Sequence, residues 1–175
     1  MRISENQALD CLKSDDLIGI GMEADAIRRE LHPEQVVTYT LSQDGNDTTA
    51  VLLFGKGETV EDRIAELAAI REKAERGEIS ALRLIASRDL APEDPTAVEY
   101  LKTLAVARLF LDNVPHIEAS LDTQGLKVLQ MALRFGADDA GVIDAGEEEN
   151  VRRVIRGAGF QPVERDVAYR MAFVG

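Results

Sequence analysis

The 175-residue chain holds a single cysteine, two histidines and fewer basic than acidic side chains, 20 against 32. Each scarcity excludes something. Cys11 cannot form a disulfide within the chain, and one thiolate does not hold an iron–sulfur cluster, which takes several. The formal net charge of -12 argues against a nucleic-acid partner, because phosphate-backbone binding is driven by clustered Lys and Arg. No apolar run approaches the roughly 20 residues of a membrane-spanning helix, so no membrane partner is expected. The opening "MRISENQALDCLK" is polar and amphipathic, without the apolar centre of a secretory signal. A cytoplasmic protein is expected. No GxGxxG or GxxxxGK[ST] run is present to cradle a phosphate.

The two histidines stand far apart, and neither has a partner at HxxxH-type spacing. His32 reads as a helix C-terminal residue ahead of Pro33, and His116 opens a strand. Neither is expected to bind metal. Cys11 shares a helix face with Ala8 and Leu12 and reads as a packed core thiol.

What is present is a globular composition, 45% hydrophobic and 30% charged. The length suits one domain spanning 1–175, with an N-terminal helical segment over 1–33 and a βα unit over 36–175. Ser4 to Gln7 form a capping box that starts a short helix. Asp15 or Asp16 caps a second helix, "DLIGIGMEADAIRRELH", in which Gly19 and Gly21 serve helix packing. Thr59 caps "VEDRIAELAAIREKAERG", with Val60, Ile64, Leu67 and Ala68 as its apolar stripe and Gly77 as its stop. Asp94 and Pro95 open a long helix to about Leu111. "ISALRLIAS", "HIEASL" and "AGVID" read as strands, "QGLKVLQMALRFG" and "EEENVRRVIRGAG" as helices, and "FQPVERDVAYRMAFV" as an extended close. From residue 48 onward, strand and helix alternate four times, the pattern of βαβ units on a parallel sheet. Before that, Val36–Leu41 and Thr48–Phe54 are expected to pair as an antiparallel hairpin. Only six residues separate them, and Asp44-Gly45 suits a type I′ turn.

Several stretches carry a family resemblance. "SDDLIGIGMEADAIRRELHPEQVVTY" resembles the opening of the radical-SAM enzymes of the futalosine route to menaquinone, cyclic dehypoxanthine futalosine synthase and aminofutalosine synthase. "LLFGKGETVEDRIAELAAIRE", "YLKTLAVARLFLDNVPHIEAS", "QGLKVLQMALRFGADDAG" and "VIRGAGFQPVERDVAYR" resemble, in order, segments of their second half. The blocks "RLFLDNVPHIEAS" and "ALRFGADD" are the most specific. The resemblance implies a truncated, TIM-like α/β barrel with a mainly parallel sheet, N-terminal helices and the one antiparallel hairpin.

It also marks what differs. In that family the strand corresponding to "VVTY" leads into a CxxxCxxC loop that binds a four-iron four-sulfur cluster, and further βα units follow before the "FG…ET" segment. Here Ser42–Asp47 stands in place of all of these. The stretch after "ALRFGADDAG" is shortened to "VIDAGEEEN", and "LIASRDLAPEDP" lacks the aromatic character expected after its strand. Without the cluster thiolates, S-adenosylmethionine cleavage has no iron to act on. No cofactor, no metal and no catalytic residue is therefore assigned.

Three functions compete. The first is a non-catalytic relative acting through self-association, with a homodimer expected, or through association with a full-length radical-SAM relative. "TAVLLF" and "TLAVARLFL" are the segments expected at that interface. The second is a small-molecule module for a nucleoside-like ligand at the C-terminal strand ends, where such folds bind ligands. The residues there are Lys56, Glu58, Ser87, Arg88, Ser120, Asp122, Gln124 and Asp144. The third is a new enzyme using Asp122 and Asp144 as a carboxylate pair.

Overall fold

Tyr100 to Phe110, the greater part of one helix, are all buried. A helix apolar all round must be covered on all sides, and the covering of this one organises the fold. The computed structural model describes residues 2–55, 58–86 and 96–171. Helix α1 (Glu5–Lys13) begins at the expected capping box, in which Ser4 accepts from the Gln7 amide and Gln7 accepts from that of Ser4. Helix α2 (Leu17–Leu31) is capped by Asp16, and His32 is its C-cap. Strands β1 (Val36–Thr40) and β2 (Thr49–Phe54) follow. Then come α3 (Val60–Glu75) with the Thr59–Asp62 capping box, β3 (Ala81–Ala86), α4 (Thr96–Phe110) and β4 (His116–Glu118). Helix α5 (Leu121–Ala132), β5 (Asp139–Val142), a single 3₁₀ turn (Ala145–Glu147), α6 (Glu148–Gly157) and β6 (Gln161–Glu164) complete the order. The Asp94–Pro95 start foreseen for α4 lies outside the described residues.

The six strands form one sheet in the order β2-β3-β4-β5-β1-β6, and every pair is parallel. Successive crossovers run in one direction along the sheet, so their right-handedness sets α3 to α6 on one face. That is the arrangement of a partial TIM-like barrel. Tyr39, Leu52, Phe54, Leu82, Leu84 and Ile117 point to the helices and are fully or almost fully buried. Helices α1 and α2 then cover α4 from outside. Gly21 makes the contact of α2 with the end of α5 possible, since a Cβ there would lie 2.5 Å from the Phe135 ring.

The expected hairpin does not form. β1 lies between β5 and β6, parallel to both, and β3, β4 and β5 stand between it and β2. Residues 41–48 run instead from the C-terminal end of β1 to the N-terminal start of β2, where Asn46 donates to the Val167 carbonyl and Thr48 bonds Ser80 at 2.8 Å. Gly45 is not among the residues of positive φ, so the Asp-Gly pair makes no I′ turn. Tertiary pairing overrides that local preference. β1 matches β6 residue for residue from Val36↔Gln161 to Tyr39↔Glu164, and its Thr38 hydroxyl donates to Asp139 on β5. The second expected interface segment also fails, because "TLAVARLFL" is spent on the core.

Candidate functional site

Parallel register sets Val51, Arg83, Glu118, Asp139 and Thr38 in one row across the sheet face that the helices leave open. Two adjacent carboxylates in such a row need cations. Arg83 supplies one, donating to Glu118 Oε2 at 2.7 Å. Arg165, just past β6, supplies the other. It donates to Glu118 Oε1 at 2.9 Å and to both oxygens of Asp139, and all three side chains are at most 2% exposed. The Thr38 hydroxyl and the Gly141 amide complete the Asp139 carboxylate.

The chain then turns back over this face. Tyr169, at positive φ, lays its ring 3.9 Å from the Arg165 guanidinium and donates from its hydroxyl to Glu118 at 2.6 Å. Burial, and then the charges of Asp139 and Glu118, push the Tyr169 phenol up, so it stays a donor. Burial works against the charge on Arg165, but the Asp139 hydrogen bonds and charge prevail and hold its pKa above the ordinary value. The inner face is thus a closed ion network. Beside it, an open groove of ≈ 380 Å³ runs along Thr40, Ser42, Glu164, Asp166 and Arg170 at the C-terminal ends of β1 and β6.

The strand-end residues expected to bind a ligand are not gathered into that groove. Glu58 accepts from the Gly55 amide and from Arg63, bracing the start of α3. Ser120 occupies the N-cap position of α5 and its amide donates to the Tyr100 hydroxyl at 2.8 Å. Gln124 is half-buried beside Gly125, the non-helical residue within α5, and Asp144 is exposed ahead of the 3₁₀ turn. Among the described residues no hydrogen bond joins any two of these four. Lys56, Ser87 and Arg88 and the Asp122 side chain lie outside the described residues, and with Asp122 so does the proposed carboxylate pair.

A second constellation sits at the opposite, N-terminal edge of the sheet. His32 precedes β1, Asp138 precedes β5 and His116 opens β4, so the strand order β4-β5-β1 makes the three neighbours. One ligand-capable atom from each lies within 4.8 Å of the others. Asp138 Oδ2 is 2.8 Å from His116 Nδ1 and 3.4 Å from His32 Nε2. Asp138 Oδ1 accepts from Arg108 Nη2 and the Ile117 amide, each at 2.7 Å. Burial alone would raise the Asp138 carboxyl, but the His116 hydrogen bond and the Arg108 charge outweigh it and hold the group at about 2. Arg108 reaches this point because Gly136, at φ +115, turns its carbonyl onto Arg108 Nε at 2.7 Å. A cavity of ≈ 120 Å³ opens beside the triad, lined also by Glu34, Tyr169 and Met171. The wide spacing of the two histidines along the chain carries no hint of this grouping. Only the position of each histidine at an element boundary does.

A family model described as the CofH/MqnC C-terminal region matches residues 80–174. The chain is 36% identical over 146 residues to cyclic dehypoxanthine futalosine synthase of Streptomyces coelicolor, covering 71% of this chain and 36% of that protein. It is 30% identical over 206 residues to aminodeoxyfutalosine synthase of Thermus thermophilus, covering 97% of this chain and 55% of that protein. A third relative is the 5-amino-6-(D-ribitylamino)uracil–L-tyrosine 4-hydroxyphenyl transferase of Methanoculleus marisnigri, 34% identical over 134 residues, covering 67% of this chain and 36% of that protein. The chain spans about a third to about half of these relatives' length. An alignment of 206 positions exceeds the 175 residues of this chain, so the Thermus protein carries residues within the aligned region that have no counterpart here.

Proposed function

This chain belongs to the CofH/MqnC C-terminal-region family, and we propose that it acts within that family without radical chemistry of its own, by associating with a second copy of itself or with a full-length relative. The observation that carries the reading is the state of β2. Among the described residues β2 pairs on one side only, with β3, and on the open face its Val51 and Leu53 are 52% and 55% exposed. An edge strand with bare aliphatics recruits another strand or surface. The inner face supports the non-catalytic half of the reading. Glu118, Asp139 and Arg165 saturate one another there, so none of these three groups is left unpaired to act on a substrate. The sole thiol, Cys11, lies on α1, which packs against α3 and α4 in the helical layer.

Sedimentation or light scattering of the full chain at micromolar concentration tests the association. A dimer is expected, and Val51→Lys with Leu53→Lys should return it to monomer with an unchanged far-UV spectrum. A wild-type monomer that also fails to shift when mixed with a full-length relative sinks the reading.

The groove at Thr40, Ser42 and Arg170 favours a second reading, a small-molecule module. Its volume falls within the range of ligand sites, about 300–1,000 Å³. A nucleoside-type ligand that raises the melting temperature, with loss of that effect in Arg170→Ala, would support it.

A further inference from the structure

We infer that His32, His116 and Asp138 form a binding site for one divalent cation of the zinc class, with an open coordination position. Two imidazoles and a carboxylate are a donor set suited to such ions. The geometry is close to what binding needs. Metal bonds of about 2.05 Å in a tetrahedron put neighbouring donor atoms about 3.3 Å apart, and His32 Nε2 stands 3.4 Å from Asp138 Oδ2. The 2.8 Å between His116 Nδ1 and the same oxygen has to open by about half an ångström. His116 is 24% and His32 19% exposed, so their rings have room for that adjustment.

The surroundings are those of a supported site. Arg108 and the Ile117 amide occupy Asp138 Oδ1, leaving Oδ2 for the ion, the outer-shell arrangement that orients ligating carboxylates. His32 Nε2 now contacts the Pro115 carbonyl at 2.6 Å. Turning it to an ion does not strand that carbonyl, because Arg108 Nη1 also donates to it at 3.2 Å. Each neutral ring keeps its proton on the other nitrogen when it ligates. Stacking fixes the ring planes. His116 lies 4.1 Å from Tyr169 at 6° and 5.3 Å from His32. The three protein donors leave a fourth position, and the ≈ 120 Å³ cavity in front of them has room for water or a small anion.

Calorimetric titration of the metal-free full chain with zinc chloride tests the site. One zinc per chain is expected, with a raised melting temperature reversed by EDTA. Cobalt(II) should give the visible d–d bands of a tetrahedral site. Loss of a ligand in His32→Gln or His116→Gln should weaken binding by more than the ~10–100-fold that loss of an outer-shell partner costs. Cys11→Ala should leave binding unchanged. Asp138→Asn would also break the buried Arg108 pair, whereas the two partly exposed histidines can be replaced with the fold monitored by circular dichroism. Absence of stoichiometric zinc uptake, or uptake unchanged in the His32→Gln/His116→Gln double variant, overturns the site.

Discussion

Arg165 holds Asp139 with two hydrogen bonds, one of them 2.8 Å from Nη2 to Oδ1, although Asp139 opens β5 and Arg165 stands 26 positions on, just past β6. Both side chains are inside the protein, at 2% and 0% exposure. Breaking such a pair from one side leaves a charge buried without a partner, which costs about 3–5 kcal/mol. Here two carboxylates depend on the same guanidinium. Arg165→Met should therefore lower the free energy of unfolding by at least that range in urea denaturation. A loss below about 1 kcal/mol, the value of an exposed pair, would mean that the network is solvated.

Gly21 is set against Phe135 so closely that an added Cβ falls 2.5 Å from its ring. Gly21→Ala gains helix propensity of roughly 1 kcal/mol, but overpacking costs about 1–3 kcal/mol. We expect net destabilisation. Shortening the partner should relieve it, so Gly21→Ala combined with Phe135→Leu should show a favourable coupling in a double-mutant cycle. Additive costs would disprove the contact.

Cys11 is partly buried, and burial first, then the charges of Glu23 and Asp10, push its thiol up. The reactive form is the thiolate. Iodoacetamide at pH 7.5 should therefore label the native chain more slowly than free cysteine, and the rate should keep rising above the usual thiol range. In urea the difference should vanish. Equal native and unfolded rates would contradict the packing of α1.

With one thiolate in 175 residues, anaerobic incubation with iron and sulfide should leave no stoichiometric cluster absorption. The measurement is the visible spectrum of the desalted protein. An absorption that disappeared in Cys11→Ala would reverse the conclusion and point to a cluster shared between chains.

The sequence by itself determined what is local. The capping box at Ser4–Gln7, the Thr59 cap, a cap at Asp15 or Asp16 and the alternation of strand and helix are each settled within a few residues; the structure has them, with Asp16 as the second cap and Asp62 completing a box with Thr59. A cap needs only a side chain and an amide three positions on. Only the tertiary structure decided where β1 goes. Asp44-Gly45 spoke for a hairpin, yet the register with β6 and the Thr38–Asp139 bond outweighed a preference of one turn. Nor could spacing have shown that His32 and His116 share Asp138. They meet because β5 lies between β4 and β1, so three chain segments begin side by side at one edge of the sheet. Strand order is a property of the whole packed chain, and a sequence pattern that decays over a few residues does not carry it.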